Sequence, residues 1–169
     1  MPHLSIPVGV VVERRKAASS WIDFAWRPVS VLAGEPAAER GACLGNDEET
    51  ATFYAGVAYL DLYRSETSRY RDNLTSPQPS VWVAIIATDG APLCAVVAAT
   101  IDPAEGEALS EPGTVVEAVP LPHAIAEQIA EFVARHPVEE NFVKRKRDRA
   151  DLEALARRLP TLEKNNGRE

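Results

Sequence analysis

The dipeptide Asp89-Gly90 constrains this chain more than any other pair of residues, because it lies between two apolar, β-rich runs, Val81 to Thr88 and Leu93 to Ile101. A turn of this composition tolerates the positive φ values that join two strands tightly, so the runs are predicted to be neighbours and antiparallel. Other segments can add to that sheet. Thr52 to Arg64 alternates most cleanly, with Tyr54, Gly56, Ala58, Leu60 and Leu62 on one face and Phe53, Val57, Tyr59 and Tyr63 on the other, and both faces are expected to be covered. Ile6 to Val12, mostly β-branched around Gly9, reads as the first strand, and the charged cluster Glu13-Arg14-Arg15-Lys16 is expected to end it as an exposed turn. Trp21 to Leu32 is expected to give two short extended pieces, because Pro28 lacks the N–H that a continuous central strand needs. Ala33 to Thr50 suits a surface loop, and Val115 to Val119 can return to the sheet.

Helical signals are fewer. Ser65 is placed to cap a short polar helix or turn carrying Arg69, Tyr70, Arg71 and Asn73, which Pro77 and Pro79 end. Asp102 followed by Pro103 opens another short helix. Leu121, Ile125, Ile129, Phe132 and Val133 recur at helical spacing behind Pro122, which predicts an amphipathic helix packed on the sheet and stopped by Pro137. A last helix can start at Asp148 or Asp151 and present Leu152, Leu155 and Leu159, ahead of a tail from Glu163 to Glu169 expected to be disordered. The fold class is therefore α+β: one compact domain over residues 1–147, mainly an antiparallel β-sheet or partial barrel with a packed amphipathic helix, then a C-terminal helix and tail over 148–169. A chain of 169 residues that is 46% hydrophobic has the size for one such core.

Charge narrows the chemistry. A formal net charge of -7 disfavours wholesale attraction to nucleic acid or anionic lipid, so an anionic partner must meet a local basic patch. Lys144, Arg145, Lys146 and Arg147, extended by Arg149, supply one: clustered guanidinium and ammonium groups pair with the oxygens of a phosphate-bearing cofactor, a nucleic acid or an acidic protein. A solvated linker accounts for the same residues, and Phe142 is the only aromatic beside them, whereas nucleic-acid readers add stacking groups. Arg64, Arg69 and Arg71 form a second basic cluster that Glu66 can partly neutralise, as in a surface ion-pair network. Trp21, Trp26, Tyr54, Tyr59, Tyr63 and Tyr70 are candidates for a ligand groove or, more commonly, for the core.

No catalytic or metal-binding pattern stands out. His3, His123 and His136 lie far apart without a second ligand at metal spacing, so no metal site is expected. His136 is expected to close the apolar face of the long helix, where the partial negative charge of the helix end would favour its protonation. Cys43 and Cys94 belong to no C-x-x-C pair and read as two reduced thiols of a cytoplasmic protein. The apolar stretch Val8 to Val12 is too short for a signal-peptide core or a membrane span. Leu32-Ala33-Gly34 invites comparison with a nucleotidyltransferase phosphate loop, but Glu35 and Pro36 put a negative charge and a missing donor where phosphate needs the opposite.

Four motifs carry a resemblance: Ile6-Pro7-Val8-Gly9-Val10-Val11-Val12-Glu13-Arg14-Arg15; Trp26-Arg27-Pro28-Val29-Ser30-Val31-Leu32; Glu66-Thr67 with Tyr70-Arg71; and Phe142-Val143-Lys144-Arg145-Lys146-Arg147. Through them the chain resembles, over roughly Ile6 to Arg147, an uncharacterised proteobacterial domain-of-unknown-function family encoded beside molybdenum-dependent formate dehydrogenase and its maturation factors. Some members carry the label molybdopterin-guanine dinucleotide biosynthesis protein A, and the family offers no catalytic residues to carry over. The resemblance implies a cytoplasmic, non-catalytic accessory or assembly factor for that dehydrogenase. It would have no cofactor of its own and would bind an acidic subunit, a maturation factor or a phosphate-bearing cofactor through the basic segment. The alternatives are a nucleotidyltransferase of molybdopterin guanine dinucleotide biosynthesis and a small nucleic-acid-binding regulator.

Overall fold

The computed structural model describes residues 3–18, 20–21, 23–88 and 94–137. In chain order the elements are β1 (Leu4–Lys16), β2 (Phe24–Ala33), β3 (Cys43–Asn46), β4 (Thr50–Leu62), α1 (Thr67–Leu74), β5 (Ser80–Ala87), β6 (Cys94–Thr100), α2 (Pro103–Ala108), β7 (Thr114–Pro120) and α3 (His123–Arg135). All fall within the unit Met1–Glu139.

Two antiparallel sheets result, ordered β2-β1-β4-β3 and β6-β5-β7. The two runs expected to pair do so as β5 and β6, antiparallel, with Trp82 opposite Thr100 and Ala87 opposite Cys94, while Asp89-Gly90 lies outside the described residues. β6 lies alongside β4 and β7 alongside β2, but no ladder joins the sheets, so the barrel stays open. Between the sheets sits the core: Val8, Val10 and Val12 from β1, Leu60 and Leu62 from β4, Val81, Val83 and Ile85 from β5. Ile125, Ile129 and Phe132 of α3 complete it, as the helical spacing predicts. Gly9, in the middle of β1, is required by a close approach: a Cβ there would lie 2.6 Å from Pro36, in the loop after β2.

Several local expectations need correction. Phe24–Ala33 is one strand, not two pieces. Pro28 is tolerated because β2 is an edge of its sheet, next to a bulge where Val11 opposes Ser30 and Val12 opposes Pro28. Glu13 to Lys16 does not form a turn but continues β1, because its neighbours take up the charges. The Arg14 guanidinium lies 4.4 Å from the Phe24 ring centroid and 5.1 Å from that of Phe53, and Glu13 pairs with Arg27 at 3.1 Å. The stretch read as a loop from Ala33 to Thr50 contains β3, which pairs with the start of β4.

Two further corrections concern β4 and α1. The outer face of β4 is only partly covered, since Tyr59 remains half exposed while Ala58, Leu60 and Leu62 are buried. Ser65 does not cap α1. A short 3-10 turn, Arg64–Glu66, precedes that helix, its N-cap residue is Glu66, and the Ser65 hydroxyl donates to Glu66 instead.

Candidate functional site

One concavity gathers positive charge. Its lining comes from the start of β1 (His3, Leu4), the turn after β4 (Arg64) and the last turns of α3 (Gln128, Glu131, Phe132, Arg135, His136), around about 300 Å³. The β1–β4 ladder sets Leu4 opposite Leu62, which carries His3 to the turn that follows β4. There the Arg64 backbone N–H donates to His3 Nδ1 at 3.2 Å. The Thr67 hydroxyl donates to the His136 carbonyl at 2.8 Å, which ties the end of α3 to α1.

His136 stacks obliquely on Phe132, with ring centroids 4.8 Å apart. It closes the apolar face of α3 as expected, but the expected effect on its protonation is reversed. Loss of hydration, then the charges of Arg64, His3 and Arg135, hold its pKa below the ordinary 6.5. Lost hydration and like charge act against the attraction of the helix end. Glu131, the carboxylate in the lining, is bonded to Arg135. What remains is a small basin in which Arg64, beside the two imidazoles, can hold an anionic oxygen.

The residues singled out in the sequence fall in different places. Arg64 lies in this basin. Arg69 is engaged elsewhere: its Nη1 lies 3.1 Å from Asp102 and 3.2 Å from Glu66, and those charges raise its pKa further. Arg71 is exposed two positions along α1 from Arg69, and residues so spaced do not share a helix face. Lys144, Arg145, Lys146, Arg147 and Arg149 lie outside the described residues. His3, Arg135 and His136 are not among the binding residues that the sequence suggests. Only strand register brings His3 here, and Arg135 read as ordinary polar spacing on α3.

The aromatic candidates also separate. Tyr54 and Tyr70 are buried, Trp26 packs on Phe53 with centroids 5.6 Å apart, and Trp21 is 94% exposed. Tyr59 and Tyr63 line a different and larger concavity of about 580 Å³ between β4, β6 and α2. Both cysteines are free, Cys43 exposed and Cys94 buried, and burial raises the Cys94 pKa. Among the described residues, no group of three or more His, Cys, Asp or Glu could hold a metal ion, and no helix is long and apolar enough to cross a membrane.

The family model described as "Protein of unknown function (DUF3305)" matches residues 7–146. No curated protein and no solved structure matches.

Proposed function

The chain belongs to that family of unknown function, and we propose that it is a non-catalytic accessory protein for assembly of a molybdenum-dependent formate dehydrogenase. On this reading it captures an acidic subunit, a maturation factor or a phosphate-bearing cofactor through cationic groups. The observation that carries the binding role is the convergence of His3, Arg64, Arg135 and His136 on one basin. Glu131 is bonded to Arg135, so Arg64 is the guanidinium through which the lining can meet an anionic oxygen. The sequence supplies more positive charge beyond that helix, at Lys144 to Arg147. Charge complementarity of this kind steers encounter and fixes orientation more than it adds affinity. The link to formate dehydrogenase rests on the family resemblance alone.

The test is capture from extract of the native host, read by native mass spectrometry. Wild-type protein is compared with a variant in which Arg64 and Lys144 to Arg147 are replaced by Ser. The variant is expected to keep its thermal midpoint and lose most of the captured mass, and capture by wild type is expected to fall as salt is raised. Equal capture by both proteins would discard the reading.

A further inference from the structure

We infer that the larger groove, between β4, β6 and α2, is a docking site for an extended, basic and apolar peptide segment of a partner protein. Its floor is the outward row of β4, where Val57, Tyr59 and Asp61 succeed one another on one face. Its walls are Val97 of β6 and, from α2 and the residue after it, Glu105 and Leu109. The volume of about 580 Å³ is that of a ligand-sized cleft.

Two features separate this groove from ordinary surface. The first is Val97. The β5–β6 register runs from Ala84 opposite Ala98 to Ile85 opposite Val96, which leaves Val97 as an extra residue. A bulge re-aims the side chain it carries, and Val97 is 51% exposed beside a Tyr59 that is 50% exposed. Apolar groups held out in a concavity, not scattered singly, mark a contact surface.

The second feature is charge, which identifies the occupant. Among the described residues, the charged side chains of the lining are the carboxylates of Asp61 and Glu105, with no Lys or Arg. Both carboxylates are held in place: the Ser5 hydroxyl donates to Asp61, and the Thr100 hydroxyl donates to Glu105 at 2.7 Å. The Tyr59 hydroxyl donates to Glu35 at 2.9 Å, which fixes the ring that the groove presents. A partner with lysine or arginine between apolar side chains satisfies both features. An extended segment suits the floor, because same-face side chains of a strand repeat every ~6.6 Å, the repeat of the β4 row beneath it. The groove is opposite in sign to the basin that holds Arg64, and it stands independently of the function proposed above.

The test uses the full-length, isotope-labelled protein and two capped heptapeptides. One alternates leucine and valine with lysine and arginine; its twin has glutamate in place of every cation. The cationic peptide is expected to shift the amide resonances of residues 57–61 and 96–100, and the glutamate twin is expected to leave them unchanged. Asp61→Asn combined with Glu105→Gln, which keeps the hydrogen-bonding shapes, should weaken binding at least tenfold, and Val97→Ser should weaken it without changing its salt dependence. Equal shifts from both peptides, or none from either at millimolar concentration, would overturn the assignment. So would shifts of the same resonances on concentrating the protein alone, which would make a second copy the occupant.

Discussion

Asn73 does more for this fold than its place in a polar helix suggests. Its Nδ2 donates to the carbonyls of Ser80 at 2.8 Å and Ile101 at 2.9 Å, while its Oδ1 accepts from the Ser80 N–H at 3.0 Å. One buried amide thus joins α1 to the start of β5 and the end of β6. Asn73→Ala would remove the partner of one buried and two part-buried backbone groups and should destabilise by about 2 kcal/mol, read as a lowered urea midpoint. Tyr70 plays a similar part: its hydroxyl accepts the Tyr63 N–H at 3.0 Å, and burial pushes its pKa up to about 12. Tyr70→Phe keeps the packing and should cost about 1 kcal/mol in the same assay. Neither role was legible in the sequence. A side chain that bonds backbone groups distant in the chain leaves no local pattern, whereas Asp102, which caps α2 by accepting the Ala104 N–H at 2.9 Å, could be read because cap and helix are adjacent.

At the scale of elements, what could be read was periodicity with its punctuation. The β5–β6 pair, α2 behind Pro103, β7 and the buried stripe of α3 all follow from it. What could not be read was position within a sheet. Pro28 excludes a strand only if that strand is internal, and nothing in Trp21 to Leu32 says that β2 is an edge. Likewise the charges from Glu13 to Lys16 argue for a turn until Phe24, Trp26 and Phe53 are found around Arg14. The contact of α2 with β5 gives a prediction at this scale. A Cβ on the buried Gly106 would lie 2.4 Å from Trp82 Cγ, so Gly106→Ala must push the helix or the indole aside. The replacement ordinarily favours a helix, but here it should destabilise by about 1–3 kcal/mol, measured by urea denaturation and accompanied by a changed Trp emission.

For the molecule as a whole, the described site residues respond to acid through His136. Its pKa lies lower in the folded chain than the ordinary 6.5, so below that value the unfolded chain takes up a proton that the folded chain resists. Stability present above pH 6.5 is therefore lost as pH falls through the window beneath it. Replacing His136 with Gln should flatten that part of the stability-pH profile, measured as thermal midpoints across the window. Inorganic phosphate should offset the loss, because an anion beside Arg64, His3 and Arg135 favours the charged imidazole. Its stabilising effect should therefore grow as pH falls. Of the four residues that meet here, one could be read in advance as a binding cation. Arg64 stood out as a cation, but its convergence with His3 and Arg135 exists only after β1, β4 and α3 have come together.

The open barrel has one more consequence. Since β4 meets β6 and β2 meets β7 through side chains alone, each of these two seams can part without breaking a single rung of either sheet. Deuterium should therefore enter the outer amides of β6 and β7 through partial openings, well before it reaches the interior amides of β1, which are bonded on both sides and should exchange only when the whole domain unfolds.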